Sequence, residues 1–380
     1  MTDQQAAIGL ARLADIIRAE AANGLYWGGT DDDMARMRQL RQSATELMAL
    51  VDHRSADEIQ AIFDTDLFLR TPMPATEIRI ACSDGETVVR RRRLRWEEPS
   101  LGQSLNSLAE ALDADVDSQP QGIADTDLAG LPCPHTFLLA YGATTPLTSE
   151  EVEAILEPGD RDLAGELEFL APGESAIERE PSPLPVAAVV KRILDQVADL
   201  AKEGLKITES FYERERYERI EALCANTFEA EIDYPSVDCG DLAVVGLSTG
   251  ADAAIFNEEG RLLLIRRTDT GQWAMPGGGA EVGETVALAA VREAAEESGL
   301  DVTITGLVWA FDKRENNLGD SRMPMIMSFQ ARVNDPDQPI RLAELEASDH
   351  RWITEDEWNT IDFFKGHQLR VPEAFAAYRR

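Results

Sequence analysis

Lysine is nearly absent from this chain, and cysteine and histidine are scarce. Only Lys191, Lys202, Lys206, Lys313 and Lys365 occur in 380 residues. The four cysteines, Cys82, Cys133, Cys224 and Cys239, form no CxxC pair, which argues against a zinc ribbon and a disulfide framework. The four histidines, His53, His135, His350 and His367, are scattered and read as structural or exposed. The N-terminus lacks an apolar signal segment and no run reaches membrane-spanning length, so the expectation is a soluble, cytoplasmic chain without a membrane partner. Bases are outnumbered, 36 against 70 acids, for a net charge of −34. That sign opposes broad contact with nucleic-acid phosphates, so no nucleic-acid partner is expected. It does not oppose a small nucleotide held through a cation. An acid-rich, Lys-poor surface points to a halophilic protein whose self-repulsion is screened by salt; an acidic protein at ordinary salt is the alternative. Hydrophobic residues make up 44%, enough for real cores, and the length allows two or three domains.

One stretch carries chemistry. Residues 278–300 read GGAEVGETVALAAVREAAEESGL and fit G-x5-E-x7-R-E-U-x-E-E-x-G-U, with U aliphatic. The matching residues are Gly278, Glu284, Arg292, Glu293, Ala294, Glu296, Glu297, Gly299 and Leu300. At ordinary residue frequencies the chance of such a match is below roughly 10⁻⁷ per starting point, so acidity alone does not account for it. On a helix, Glu293, Glu296 and Glu297 stand at i, i+3 and i+4 and project together, an arrangement of like charges that asks for a cation. Ala287, Ala290, Val291 and Ala294 supply the apolar stripe, and Gly299 can stop the helix in a left-handed conformation. Upstream, residues 253–256, 257–260 and 262–265 read as strand, turn, strand, followed by Arg266, Arg267, Trp273 and a glycine loop at 277–279. Extended structure follows from Val302 to Phe311, with a break at Gly306.

This pattern resembles the signature box of the Nudix hydrolases, although Ala294 stands where that family usually has a bulkier aliphatic. The resemblance implies an α/β fold, the Nudix α/β/α sandwich with a mixed sheet, and cleavage of nucleoside diphosphates linked to another moiety X. Clustered carboxylates favour hard cations such as Mg²⁺ or Mn²⁺. Glu293, Glu296 and Glu297 are the expected metal ligands, joined by a backbone carbonyl near Gly278. Glu284 and Arg292 resemble the family's structural pair, with Arg292 orienting the helix. The general base is Glu293 or Glu296 within the box, or one of the loop acids Glu344, Glu346 and Asp349. Either Arg266 or Arg267 is expected to meet substrate phosphates through forked hydrogen bonds. Trp309 and Phe311 are candidates for stacking on a base, though strand aromatics are more often core.

The chain also reads as one plan used twice, about 180 residues apart. Arg12, Asp15, Gly24-Leu25, Arg36 and Leu40 align without a gap on Arg192, Asp195, Gly204-Leu205, Arg216 and Ile220. Both copies predict a helical hairpin. The second resembles the helical N-terminal domain found ahead of Nudix hydrolases associated with X-linked nucleoside diphosphates, such as CDP-choline and ADP-ribose. Residues 76–91 mirror 253–267, and Gly102-Gln103 falls where Gly283-Glu284 stands, but no REUxEE follows. Glu168-Phe169-Leu170 resembles Arg351-Trp352-Ile353, and residues 118–131 read as a polar loop. The expected division is a hairpin (1–55), a degenerate tandem Nudix-like copy or an unrelated α+β unit (73–177), a charged, Pro-rich linker (178–185), a second hairpin (187–233) and a catalytic unit (242–380). The resulting expectation is an X-linked nucleoside diphosphate hydrolase, as a homodimer or an intrachain pseudo-dimer. A nucleotide sensor without turnover and a sanitising nucleoside triphosphate pyrophosphatase are the alternatives.

Overall fold

The structure, a computed structural model, describes residues 1–380 except 133, 177–181, 317 and 319–321. Cys133 and half of the expected linker, residues 178–181, therefore lie outside the described residues. The chain opens with α1 (Asp3–Trp27), α2 (Asp31–Ala49) and α3 (Ala56–Phe63). Each is started by a reciprocal cap: Thr2 with Gln5, Thr30 with Asp33, and Ser55 with Glu58. A first sheet unit follows: β1 (Met73–Ala81), β2 (Thr87–Arg93), α4 (Leu101–Leu112), β3 (Asp115–Val116), β4 (Gly122–Asp125), β5 (Thr136–Thr144) and α5 (Ser149–Ile155). Then come β6 (Leu184–Val186), α6 (Ala188–Ile207), α7 (Phe211–Ala225) and β7 (Thr227–Glu229).

The last segment holds β8 (Thr249–Phe256), β9 (Leu262–Arg267), β10 (Trp273–Ala274), β11 (Gly277–Gly279), α8 (Val286–Ser298), β12 (Val302–Asp312), β13 (Met325–Val333), β14 (Ala347–Ile353) and α9 (His367–Tyr378). Its sheet runs β10-β9-β8-β13-β12, with β11 on β8 and β14 on β9. The β8–β13 pair is parallel and its neighbours are antiparallel, so the sheet is mixed. Successive strand residues face opposite sides. Ala251, Ala253 and Ile255 pack in the core with Ala287 and Ala290 of α8, while Ala254 and Phe256 pack with Val371 and Ala374 of α9. The result is the expected α/β/α sandwich. The expected break at Gly306 appears as a register shift between Ile304 and Gly306.

The two helical hairpins are not separate bodies. Leu10, Ile17, Met37 and Leu40 share one core with Leu194, Val197, Tyr217 and Ile220. Positions 180 residues apart make similar contacts. Gly24 lets α1 approach Met37 on α2, and Gly204 lets α6 approach Tyr217 on α7, the positions matching 180 residues apart. Arg36 pairs with Asp33 at 2.7 Å, and Arg216 pairs with Glu213. Tyr217 joins the hairpins by accepting from Arg36 (3.0 Å) and donating to Asp33 (3.1 Å).

Two local readings are corrected. Residues 118–131 contain β4, buried throughout and paired with β5; four residues are too short for alternation to announce them. The likeness of 168–170 to 351–353 is not kept in the pairing. β14 pairs with β9 across its length, whereas Leu170 makes a single bridge to Ile123 on β4.

Candidate active site

The glycines at 277–279 form β11 because side chains do not fit there. A Cβ on Gly277 would lie 2.5 Å from the Ala251 carbonyl, and one on Gly278 would lie 2.5 Å from the Glu293 carboxylate. The strand therefore passes directly beneath the carboxylates of α8. Thr285 caps that helix by accepting from Leu288 N–H at 3.2 Å, and Gly299 closes it at φ 70°. Ala294, the departure from the usual pattern, is fully buried under the helix.

Arg292 sits at the centre. It donates to Glu284 at 2.7 and 3.1 Å, to the Gly279 carbonyl at 2.8 Å, and to Glu293 and Glu296 at 2.9 Å each. Burial works against its charge, but the Glu284 carboxylate, followed by Glu293 and Glu281, outweighs that and holds the guanidinium firmly protonated. Glu297 is buried and accepts the Gly277 N–H at 2.7 Å. Burial, then the neighbouring Glu293, pushes its carboxyl well above the usual range. Burial also dominates at Glu293; with Glu296 and Glu284 beside it, its carboxyl is pushed up to about 8 despite Arg292.

Carboxylates this crowded prefer a proton when no cation neutralises them. Three hard oxygen donors on one helix face, over a strand with close backbone, suit Mg²⁺ or Mn²⁺. They are not drawn together as a cage, because Arg292 holds Glu293 and Glu296 while the strand holds Glu297. Among the described residues the tightest His/acid group is instead Asp125, Asp127 and His135. Both of its ring nitrogens are engaged, by the Gly283 N–H and by Asp125.

The remaining candidates separate by position. Of the loop acids, Glu346 is half-buried, bonded by the Tyr212 hydroxyl and close enough to raise the Glu297 carboxyl; Glu344 and Asp349 are exposed. Arg267 interacts with Glu297 and Tyr212, grips Asp269 at 2.7 and 2.9 Å, and lies 4.3 Å over the Phe364 ring. Arg266 instead closes its own turn on the Gly271 carbonyl at 2.9 Å. Trp309 packs 4.7 Å from Phe311 in the core beside α9.

Sequence reasoning missed the contribution of α7. Burial, followed by Glu296 and Glu346, raises the Glu215 carboxyl. Arg219 bridges Glu281 (2.8 Å) and Glu20 of α1 (3.1 Å). The four-residue spacing of Glu215 and Arg219 places both on one helix face, a signal that says nothing about which distant residues they meet.

The family described as NUDIX domain matches residues 246–372. An asymmetrical bis(5'-nucleosyl)-tetraphosphatase of Sus scrofa is 31% identical over 112 residues, covering 30% of this chain and 76% of that protein. The chain belongs to the Nudix hydrolase family. A putative ADP-ribose pyrophosphatase of Bacillus subtilis (strain 168) is 29% identical over 130 residues, covering 32% of this chain and 61% of that protein. The chain spans 66% and 61% of the first two curated relatives it matches, just under two thirds of each. A solved UDP-X diphosphatase aligns at 19% identity and a TM-score of 0.40, over 50% of this chain and 93% of that one. The Nudix match takes in the whole box, from Gly278 to Leu300, and leaves the first half of the chain outside it.

Proposed function

We propose that the chain hydrolyses the diphosphate linkage of a nucleoside diphosphate joined to a second moiety, with ADP-ribose and CDP-choline as the class of substrate. The observation that carries this reading is the arrangement on α8: Glu293, Glu296 and Glu297 on one face above β11, with Arg292 locked to Glu284 behind them. Glu293, Glu296 and Glu297, with the Gly278 carbonyl, would hold Mg²⁺ or Mn²⁺. Such a cation offsets the charge of the diphosphate and acidifies a bound water. Glu346, half-buried and close to Glu297, would take the proton of an attacking water as its oxygen bonds to one phosphorus. The bridging P–O bond breaks, leaving a nucleoside monophosphate and phospho-X. Arg267 interacts with Glu297, and its Nη1 edge, which is not used in the pair with Asp269, would supply a cation for phosphate oxygens. The relative named for ADP-ribose supports that substrate class.

The first half is read as a degenerate copy, so that the chain is an intrachain pseudo-dimer with one active site. Its sheet order, β2-β1-β5-β3, follows the plan of β9-β8-β13-β12, with β1–β5 and β8–β13 the parallel pairs. The matching glycines are held reciprocally: Gly102 N–H by Glu315 at 2.6 Å and Gly283 N–H by His135 at 3.0 Å. Gln103 and the residues after it offer no acidic triplet.

The test is product chromatography over CDP-choline, ADP-ribose, NADH and 8-oxo-dGTP with Mg²⁺ or Mn²⁺. Turnover of an X-linked diphosphate, lost in Glu297→Gln, is the expected result. No turnover of any at native salt, or a fully active Glu297→Gln, overturns it; binding without cleavage identifies a sensor.

A further inference from the structure

The loop 280–285 delivers Glu284 to Arg292, yet much of its hold comes from outside the Nudix segment. Thr285 donates to the Ser175 carbonyl at 2.7 Å, and Glu281 is paired with Arg219. Gly283 sits at φ 101°, a conformation L side chains rarely adopt, and a Cβ there would lie 2.8 Å from the Cδ1 tip of Ile16 of α1. Its N–H points at Nδ1 of His135, at 3.0 Å.

His135 is almost wholly buried, at 2% exposure. Its Nε2 lies 3.0 Å from Asp125 Oδ2, while Asp125 Oδ1 is fixed by the N–H groups of Asp127 and Leu128. A backbone N–H only donates, so Nδ1 must present a lone pair, and the proton belongs on Nε2 facing Asp125. The charged groups facing the ring are Asp15 and Arg12 from α1, Asp125 from β4 and Asp127 from the turn after it. The catalytic loop presents the Gly283 N–H.

We propose that His135 is a positioning residue for the catalytic helix, fixing from the first half the loop that sets Glu284 on Arg292. The proposal rests on the hydrolase reading for its kinetic consequence but not for the contact itself. Burial lowers the basicity of the ring, but Asp127, Asp125 and Asp15 outweigh it and push it up to about 9. Below that value the ring gains a proton on Nδ1, becomes a donor there, and leaves Gly283 without an acceptor. The hold is therefore made as pH rises and released as pH falls.

The experiment uses the full chain and the variants His135→Asn and His135→Leu. Asparagine keeps an acceptor near the Nδ1 position and does not titrate; leucine removes it. Above about pH 9, where the ring is neutral, hydrogen exchange of the peptide covering 280–288, without substrate or metal, should be faster in His135→Leu than in the wild type. In the wild type it should slow as pH rises toward about 9, after correction for intrinsic exchange. In His135→Asn it should be protected at all pH values. With a substrate turned over above about pH 9, kcat should fall roughly tenfold in His135→Leu with KM little changed, and His135→Asn should keep the wild-type kcat but lose the ascending pH limb. Equal protection of the peptide in wild type and His135→Leu above about pH 9 overturns the proposal. So does loss of protection in His135→Asn as large as in His135→Leu. Exchange is read without turnover, so the contact stands or falls by it even if the chain proves not to be a hydrolase.

Discussion

Arg292 holds its helix face and its loop at once. Its fork fills both oxygens of Glu284, and its remaining hydrogen bonds reach the Gly279 carbonyl and two of the three glutamates. Lysine cannot reproduce that geometry, because its ammonium is a point charge without a planar fork. Arg292→Lys is expected to lower kcat roughly 10²-fold, the order seen when a preorganised group at a charged centre is lost. Far-ultraviolet circular dichroism should leave the helix content unchanged; a variant with wild-type kcat would show that the fork has no part in turnover. These residues were legible because they are neighbours in sequence and helical spacing brings them together. Tyr212, Glu215, Arg219 and His135 were not. Each reaches the site from another element, and a lone histidine before a strand carries no mark of the backbone N–H it will accept 148 residues later.

At the scale of elements, the two hairpins offer a matched comparison. Gly24 faces the flexible Met37 side chain, with a Cβ placed 2.7 Å from its sulfur, whereas a Cβ at Gly204 would overlap the rigid Tyr217 ring. Gly204→Ala should cost about 1–3 kcal/mol through overpacking. Gly24→Ala should stay within about 1 kcal/mol of wild type, because alanine's higher helix propensity offsets the shift of Met37. Urea denaturation midpoints of the two variants distinguish the cases; equal losses would contradict the packing difference. The hairpins themselves followed from periodicity, but the glycines expected in their turns, Gly24 and Gly204, lie inside α1 and α6, where they make room for Met37 and Tyr217. That the hairpins pack on each other did not follow, since a sequence shows which face of a helix is apolar but not what covers it.

Beneath the sheet, Arg370 of α9 donates to Asp252 of β8 at 3.0 Å, and both are buried. Removing one partner of a buried pair strands the other. Arg370→Ala is therefore expected to destabilise by roughly 3–5 kcal/mol, read from thermal or urea unfolding. A smaller loss, below about 1 kcal/mol, would mean that Asp252 takes up a proton at little cost.

For the whole molecule, charge and connectivity dominate. A net charge of −34 on 380 residues opposes the compact state by self-repulsion. If the composition is an adaptation to salt, the unfolding midpoint should rise steadily from dilute buffer to molar KCl as that repulsion is screened. A midpoint independent of KCl would remove the halophilic reading and leave acidity as composition alone. No helix of the described residues is long and apolar enough to cross a membrane. The catalytic segment was readable as a unit because its signals are dense. The first half was readable only through its likeness to the second, and that likeness thinned where β4 replaced a clear strand pattern.

The shared helical core has a consequence during synthesis. Leu10, Ile17, Met37 and Leu40 are covered by α6 and α7, which are made only after the entire first sheet unit. As the chain leaves the ribosome, α1 and α2 can pair but must carry an uncovered apolar face until residue 225 has emerged. That interval is when a nascent chain is open to misassembly and chaperone capture. The same covering helix, α7, also brings Tyr212, Glu215 and Arg219 beside the acids of the candidate active site. Completion of the bundle and placement of α7 beside these acids are thus one event, so a growing chain acquires that contact only as it covers its first hairpin.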